Sequence, residues 1–527
     1  MTGVQTCALP ILSNMAQRQA YWFSFPWTIA TATNTRIASI AVTPCAHTLY
    51  ESVKHIFTPC CFAALPFAHW RGTMRYRFQV VASSFHKGRL LIRYDPFQND
   101  SADVSVGFSR IVDISEERDF TIDIGWGVHH NYCRVHNPGT FQLPYRASSS
   151  TIDGSSWNAW ANGILAVYVM NDLTVPASDI NNDIEVNVFV SAGEDMEFQN
   201  PHQSVIDGFV FHNNVPTLLQ EEVSPKSDAL LRFERKYFPT LENQVGGDTS
   251  ASELEQSTTL PSQPMQADSL DEMAKVSGDN KIADVCFGER IVSFRSLLKR
   301  YNLHEIMLWP TPTSPTPVVG EIVHYKRISK AFPIPRGYSP LGIHVTAASL
   351  AYDYVHNTLL NYLSVGYAGW RGGLRIKVMP MDRVSSNAAP ITQTVHGLTR
   401  TEFPPVELTT QYAEGLASTN VSRAASAIIN YPICHSGSIF QEAVSQPTLE
   451  AEIPYHLPFR FSPAQRDSNG TTNYATGFEY DLITMRRSAV SGYRALKFVA
   501  AADDFSLFFF IGPPPAYYAP SDPTPPT

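Results

Sequence analysis

Charged side chains are scarce in this sequence. Asp, Glu, Lys and Arg make up 17% of its 527 residues, against about 25% in typical soluble proteins. Because interface cores are depleted in charge, this scarcity indicates a chain whose outer surface is largely covered by partners. The seven cysteines show no framework spacing, which argues against a disulfide-stapled secreted domain.

Long apolar segments are also missing. No run approaches the roughly 20 residues that a membrane helix requires, and the densest run, at residues 507–511, has the length of a strand. The N-terminus lacks the positive and apolar regions of a signal peptide. We therefore expect synthesis in the cytoplasm and no stable insertion into a membrane.

Sequence signatures of several enzyme classes are absent too. The chain has no GxSxG, HExxH, P-loop or helix-opening GxGxxG motif. A group of His129, His130, Cys133 and His136 matches no usual zinc spacing, and no second cluster completes it. We interpret the group as part of a polar loop and expect neither a metal nor a cofactor. The net charge of −9 also argues against a protein that coats nucleic acid through a basic surface.

Composition divides the chain into blocks. Residues 239–286 contain no aromatic residue, arginine or histidine, and they hold nine Asp or Glu and two Lys. Such a segment cannot bury enough apolar surface to offset its ordering entropy, so it predicts an acidic, flexible linker. The linker separates a first domain, residues 12–238, from a second, residues 287–512, and a flexible proline-rich tail follows at residues 513–527. Residues 1–11 resemble the translation of a sequencing-library adapter, so we expect them to be an artefact and the natural chain to extend upstream.

A repeated motif links the two blocks. FAHWRGTMRYRFQV spans residues 67–80, and YAGWRGGLRIKVMP spans residues 367–380. In each copy a Trp-Arg-Gly sequence precedes alternating apolar and basic residues, which is the period of a half-buried strand. We expect a duplicated domain, with a short helix before each copy at residues 50–56 and 351–363. The shared residues are Trp70, Arg71, Gly72, Trp370, Arg371 and Gly372, and we expect both tryptophans to plug the end of a barrel.

Strand patterns dominate the rest of both blocks. GRLLIRYDP at residues 88–96, GILAVYVMNDL at residues 163–173 and YRALKFVAA at residues 493–501 are short apolar runs separated by loops rich in Pro, Asn, Gly and Ser. This spacing predicts an all-β protein with two tandem eight-stranded antiparallel jelly rolls, short helices and a flexible linker.

Longer strings of residues resemble a known family. They resemble strands of the capsid jelly rolls of dicistrovirus-, iflavirus- and marnavirus-like positive-strand RNA viruses. The matching strings cover residues 70–96, 184–201, 287–301, 369–380, 449–463 and 503–515. The resemblance implies the last two major capsid proteins of a picorna-like virus, which form an icosahedral shell and reside in the virion after assembly in the host cytoplasm.

The resemblance also implies partners. The expected ones are other copies of the chain, a further capsid protein, the enclosed genomic RNA and a viral cysteine protease that cuts after Gln and before a small residue. Outer loops are expected to present a host-attachment surface. In the linker, Gln266–Ala267 and Gln256–Ser257 have the cleavage pattern, and a protease can thread a flexible exposed strand through its cleft. The alternative interpretation is that Gln is simply common in polar linkers.

Asp503, Asp504 and Phe505 are the strongest candidates for residues with a chemical role. In insect picorna-like capsids, a similar Asp-Asp-Phe motif lies near the bond that is cut when the precursor of the small internal protein matures. Two adjacent carboxylates in a partly dry site titrate apart, so one of them can accept a proton near neutral pH and activate water. The alternative is that the two aspartates cap a turn before the last strand, as Asp commonly does.

Two further interpretations stay open. Strand arginines such as Arg75, Arg77 and Arg375 could meet phosphates, but solvated strand faces carry arginines routinely, so RNA contact is the less favoured interpretation. A cupin-type metalloenzyme and a lectin-like binding module are the rivals of the capsid, because both use the same β architecture. Bound iron or zinc would favour the first, and glycan affinity would favour the second.

Overall fold

The computed structural model describes residues 12–50, 54–96, 108–136, 146–147, 160–175, 183–203, 205–211, 282–289, 291, 293–309, 320–329, 335–338, 344–345, 351–381, 392–399, 412–415, 438–442, 448–455, 459–464, 479–487 and 493–519. The predictions for the adapter-like start and for most of the linker concern residues outside this part of the chain.

The first block is built almost entirely from strands. They are β1 (Ala20–Trp27), β2 (Arg36–Ala41), β3 (His47–Tyr50), β4 (Lys54–Phe57), β5 (Phe67–Arg71), β6 (Met74–Val81), β7 (Lys87–Asp95), β8 (Phe108–Asp113), β9 (Asp119–Ile124), β10 (Cys133–Arg134), β11 (Arg146–Ala147), β12 (Ile164–Thr174), β13 (Ile184–Ala192), β14 (Glu197–Pro201) and β15 (Phe209–Val210). Its helices are α1 (Leu12–Ala16), α2 (Pro59–Ala64) and a 3₁₀ turn at Ile206–Gly208.

The second block has the same character. Its strands are β16 (Asn302–Trp309), β17 (Gly320–Ser329), β18 (Gly337–Tyr338), β19 (His344–Val345), β20 (Ala351–Asp353), β21 (Tyr367–Arg371), β22 (Leu374–Pro380), β23 (Thr392–Thr399), β24 (Tyr412–Gly415), β25 (Ser438–Glu442), β26 (Leu449–Ile453), β27 (Ser462–Pro463), β28 (Glu479–Arg487), β29 (Tyr493–Ala501), β30 (Ser506–Phe510) and β31 (Ala516–Tyr518). Its helices are α3 (Ile282–Phe287), α4 (Phe294–Leu298) and α5 (Leu359–Ser364).

Each block forms the same pair of sheets. The strand orders are β1-β13-β6-β9 and β11-β2-β12-β7-β8 in the first block, and β16-β29-β22-β26 and β24-β17-β28-β23-β25 in the second. When the eight shared strands of each block are numbered along the chain, both blocks give the orders 1-8-3-6 and 2-7-4-5, with antiparallel pairs throughout. This order is a jelly roll. The predicted fold of two tandem jelly rolls is confirmed, and β11 and β24 are additional edge strands.

The barrel cores follow the predicted alternation. In β6, Met74, Tyr76, Phe78 and Val80 are buried, while the residues between them are half-buried or exposed. In β22, Ile376 and Val378 are buried, at the positions that match Tyr76 and Phe78 of β6. Because successive side chains of a strand point to opposite faces of the sheet, each apolar set faces the partner sheet and fills the barrel.

The helix before the first motif lies nearer to it than predicted. Residues 50–56, expected to be helical, contain the end of β3 and most of β4, and the helix of this block is α2. The prediction was wrong because β3 pairs antiparallel with β4, and this ladder satisfies backbone groups of the two strands. In the second block, helix α5 occupies only the end of the predicted range, which begins with strand β20.

Both helices begin at an equivalent threonine. The Oγ1 atom of Thr58 accepts a hydrogen bond from the amide of Cys61 at 3.2 Å, and that of Thr358 accepts one from Asn361 at 3.2 Å. A threonine N-cap of this kind satisfies one of the free amides of the first helical turn. The cap residue therefore sets the start of each helix.

The two helices meet between the barrels. The ring of Phe62 in α2 stacks on that of Tyr362 in α5 with centroids 4.4 Å apart, and the Tyr362 hydroxyl donates to the carbonyl of Phe62 at 2.9 Å. The described helices are all too short or too polar to cross a lipid bilayer.

Candidate functional site

The first Trp-Arg-Gly motif packs around a second tryptophan. Trp70 is buried at the end of β5, and its indole meets that of Trp126 edge-on with centroids 5.2 Å apart. The Trp70 Nε1 atom donates to the carbonyl of Trp160 at 3.0 Å. The guanidinium of Arg71 lies 5.6 Å from the centre of the Trp126 ring, within the range of a cation–π contact. The turn is thus a compact Trp–Trp–Arg cluster.

The second motif repeats this cluster with a tyrosine. Trp370 meets Tyr455 edge-on with centroids 5.2 Å apart, and the guanidinium of Arg371 lies 5.8 Å from the Tyr455 ring. Trp126 and Tyr455 each stand two residues beyond the sixth shared strand of their block. Neither partner was predicted from the sequence, although an aromatic residue at the same distance from matching strands in both blocks was a usable signal.

The glycine of each motif allows a close approach of two chain segments. Gly72 has a φ of +132°, and a Cβ atom there would lie 2.6 Å from the Cα of Met196. Gly372 has a φ of +111°, and its Cβ would lie 2.5 Å from both the carbonyl oxygen of Asp504 and the Cα of Phe505. Only glycine adopts such backbone conformations readily. In both barrels, the motif therefore packs directly against the turn that follows the eighth shared strand, β13 or β29.

An aspartate closes that turn in each barrel. In the first, Asp195 accepts hydrogen bonds from the amide and the hydroxyl of Thr73, both at 2.9 Å. In the second, Asp504 accepts one from the amide of Gly373 at 2.8 Å. The equivalence of the two aspartates supports the turn-capping interpretation for Asp504.

Asp503 occupies a different environment. Its side chain is exposed, and its Oδ1 atom lies 2.6 Å from Nζ of Lys299, while its carbonyl accepts a hydrogen bond from Arg295 at 2.7 Å. The hydrogen bond and charge of Lys299 lower the pKa of Asp503 below its usual value. The carboxylate is therefore ionised at neutral pH, and its lowered pKa makes it a weaker proton acceptor than an unpaired aspartate.

Phe505 joins the Asp-Asp-Phe sequence to the Trp-Arg-Gly motif. Its ring is buried and stacks on that of Trp370 with centroids 6.2 Å apart and planes 21° apart. The structure thus brings two separately predicted groups, more than 130 residues apart in sequence, into one cluster. The cluster combines a buried aromatic floor with one exposed, ionised carboxylate.

The strand arginines of the first barrel face carboxylates. Arg75 makes two hydrogen bonds to Asp123 at 2.7 and 2.8 Å, and Arg77 pairs with Asp119 on the same strand, β9. The cross-strand register places Arg75 directly opposite Asp123, whereas Arg77 reaches Asp119 diagonally. Because these guanidinium charges are already neutralised, this face offers no free basic patch for phosphates among the described residues.

The remaining candidates lie elsewhere. Gln256, Ser257, Gln266 and Ala267 fall outside the described residues. In the histidine-rich loop, the carbonyl of His130 accepts a hydrogen bond from Trp126 at 2.7 Å, so part of the loop supports the first aromatic cluster. Within the described part of the chain, no group of His, Cys, Asp and Glu is arranged to hold a metal ion.

Comparison with known proteins gives matches to viral proteins. Residues 280–521 match the family model described as CRPV capsid protein like. The chain is 25% identical to the structural polyprotein of cricket paralysis virus over 556 aligned positions, which cover 96% of this chain and 55% of the relative. It is 29% identical to the genome polyprotein of deformed wing virus over 28% of this chain and 5% of the relative. The chain therefore spans about half the length of the first relative and a small part of the second.

Solved structures with similar chains are also viral. A marine algae virus of the order Picornavirales is 29% identical, with a TM-score of 0.33 over 36% of this chain and 74% of that one. The empty capsid of Triatoma virus is 18% identical, with a TM-score of 0.33 over 39% of this chain and 79% of that one.

Proposed function

We propose that this chain is a capsid segment of a picorna-like viral structural polyprotein, and that its two barrels build an icosahedral shell with further copies and one additional capsid protein. The observation that carries the proposal is the duplicated barrel, in which strand order, aromatic cluster and aspartate turn all recur. Duplicated barrels of one shape can occupy equivalent positions in a closed shell, where each meets similar neighbours. The low charge of the chain fits surfaces that are buried on assembly.

Co-expression with the upstream capsid region, followed by electron microscopy, tests this function. We expect closed icosahedral particles containing both barrels. A monomer that carries stoichiometric iron or zinc would support the metalloenzyme instead, and a monomer with glycan affinity would support the lectin-like module. Neither rival is favoured by the comparisons.

We further propose that the shell encloses RNA without using the paired strand arginines. Their carboxylate partners on β9 neutralise them, so other cations must balance the phosphates. The double substitution Arg75→Gln with Asp123→Asn removes one pair at constant net charge. Particles of this variant should package the same amount of RNA as the unchanged protein, measured as the absorbance ratio at 260 and 280 nm. A large loss of RNA would show that this face contacts the genome.

The linker is proposed to be cut by the viral cysteine protease at Gln256–Ser257 or Gln266–Ala267. Both bonds have the Gln-small pattern and lie in the acidic linker, which contains no aromatic residue. Gln256→Ala and Gln266→Ala, made separately, should identify the bond, because only one of them should leave the precursor intact after incubation with the protease. Mass spectrometry of the products gives the site directly. Cleavage that persists in the double variant would overturn both assignments.

Asp503 is proposed to act as the proton acceptor in maturation of the small internal capsid protein. The exposure of its carboxylate supports this role, because a substrate bond can approach it, whereas Asp504 holds the turn. Asp503→Asn should leave assembly intact and the precursor uncleaved. Asp504→Asn keeps an oxygen acceptor for the Gly373 amide, so it should affect maturation less. Asp195→Asn, at the equivalent turn of the first barrel, is the matched control and should mature normally.

The ratio of precursor to product in purified particles, read by gel electrophoresis, measures maturation. Normal processing in the Asp503→Asn variant would overturn the assignment. A defect of equal size in the Asp195→Asn control would show that the effect comes from disturbed folding.

A further inference from the structure

We propose that the end of the first barrel is gripped by the second barrel in an inter-barrel clasp, which keeps the two proteins paired after the linker is cut. The clasp consists of residues 205–211 from the first block, and of Arg336, His356, Asn357 and strand β31 from the second. The inference rests on the proposed function only in that it assumes a cut linker.

Asp207 binds three groups of the second block. Its Oδ1 atom accepts a hydrogen bond from the amide of Asn357 at 2.9 Å, and its Oδ2 atom lies 2.7 Å from Nδ1 of His356. Its carbonyl accepts a hydrogen bond from Nη1 of Arg336 at 2.6 Å. Hydrogen bonds that involve charged groups contribute more than neutral ones, so this residue anchors one side of the segment.

The side chain of Asn357 hydrogen-bonds to the same segment at two further points. Its Nδ2 atom donates to the carbonyls of Ile206 at 2.9 Å and Phe209 at 2.6 Å, and its Oδ1 atom accepts from the amide of Arg336 at 2.9 Å. The residue is fully buried. Removing it would leave two carbonyl oxygens at the contact without this partner, which is costly in a buried site.

The tail supplies the other side of the clasp. Strand β31 pairs antiparallel with β15 on one edge and with β4 on the other, in a four-stranded sheet of order β15-β31-β4-β3. The other three strands all come from the first block. A strand from one partner that completes the sheet of another is a recurrent mode of recognition, in which main-chain hydrogen bonds supply affinity. The segment after Gly512, predicted to be an extended and flexible tail, is extended but paired in this region.

Side chains lock the tail strand in register. The ring of Tyr518 packs edge-on against Phe209 with centroids 5.5 Å apart, and the amide of Ala519 donates to the carbonyl of Gly208 at 2.9 Å. A Cβ atom on Gly208 would lie 2.7 Å from the Tyr518 ring, so the ring sits directly on the backbone of the 3₁₀ turn. The segment is therefore held on both sides by the second block.

The clasp survives cleavage at either predicted bond. Both bonds lie between residues 211 and 282, so a cut leaves residues 205–211 on the first product and the other members on the second. The stacked pair Phe62 and Tyr362 also joins the two products. After cleavage, the two products would thus be held together by these buried, directional contacts without a covalent connection.

The test separates cleavage from retention. Residues 256–267 are replaced by the recognition sequence of a non-viral, site-specific protease, the purified chain is cut, and the products are followed by size-exclusion chromatography and native mass spectrometry. Two variants disrupt the clasp: Asn357→Ala, and a chain that ends at Gly512 and lacks β31. Two controls match them: Asn302→Ala, whose Nδ2 atom bonds only the nearby carbonyl of Arg300 among the described contacts, and a chain that ends at Ala519.

We expect the unchanged products and both controls to remain a one-to-one pair. The two clasp variants should dissociate at least about tenfold faster on dilution, because each removes several buried hydrogen bonds. Separation of the unchanged products, or equal retention in all five proteins, would overturn the clasp. If Asn357→Ala does not fold, the comparison of the two tail lengths decides alone. None of these outcomes bears on capsid function, which the particle assay tests, or on the native cleavage site.

Discussion

The glycine of the second Trp-Arg-Gly motif allows two causes of destabilisation to be separated. At Gly372, φ is +111° and a Cβ atom would lie 2.5 Å from the backbone of the following turn. At Gly512, φ is nearly the same, +114°, but no atom lies within 4 Å of a Cβ placed there. Gly512→Ala therefore introduces backbone strain alone, whereas Gly372→Ala adds a steric clash with backbone atoms.

The expected magnitudes follow from these two causes. Holding a residue with a side chain at such a φ lowers the free energy of unfolding by about 1–3 kcal/mol. Overpacking against atoms that cannot move aside adds about 1–3 kcal/mol. Because the contact partners of Gly372 are a carbonyl oxygen and a Cα atom, they cannot move as a flexible side chain would. We expect Gly372→Ala to lower the free energy of unfolding by about 2 kcal/mol more than Gly512→Ala.

Urea unfolding followed by tryptophan fluorescence measures the difference, and hydrogen exchange locates it. In the Gly372→Ala variant, the amides of Ala502 and Phe505 should exchange faster, since they bond to Gly373 and Ala502 within the displaced turn. Gly72→Ala, with a Cβ position 2.6 Å from the Cα of Met196, should behave similarly in the first barrel. Equal losses of stability for Gly372→Ala and Gly512→Ala would refute the close-approach argument.

Three further predictions concern Trp70, the two threonine helix caps and His55. Trp70→Ala should lower the free energy of unfolding by about 3–5 kcal/mol, whereas Trp70→Phe should lose less because it keeps a ring against Trp126; chemical denaturation compares the two. Thr58→Ala and Thr358→Ala should each lower it by about 1 kcal/mol, and serine at either position should restore most of the loss in the same assay. Burial lowers the pKa of His55, which faces the ring of His47, to about 4. The unfolded chain therefore takes up the proton first, so the stability that His55 contributes is complete above pH 6.5 and declines as the pH falls towards 4. His55→Gln should flatten that part of the stability–pH curve, and an unchanged slope would exclude His55 as its source.

Local patterns in the sequence predicted several of the long strands. The alternation in β6 and the apolar runs of β7, β12 and β29 predicted strands within two residues of the observed ends. These patterns are readable because a half-buried strand repeats every two residues, whatever its partner. The repeat of Trp-Arg-Gly likewise predicted the duplication of the barrel, which the identical strand orders confirm.

Helix positions were harder to read from the sequence. The apolar residues around Ile56 fit either a helix or a strand, and the pairing of β4 with both β3 and β31 decided for the strand. Short apolar runs are ambiguous because they do not show whether the apolar residues repeat with the period of a helix or of a strand. The threonine caps at positions 58 and 358 were the better local signals.

For the site too, some features could be predicted from the sequence and others could not. The sequence by itself determined which residue types stand at the turns, including glycines that tolerate positive φ and aspartates that accept amide hydrogen bonds. Only the tertiary structure decided their partners: Asp504 with Gly373, Trp70 with Trp126, and Asp207 with Asn357. These partners are far apart in the chain, and no local repeat in the sequence indicates which strands and turns come together when the barrel closes.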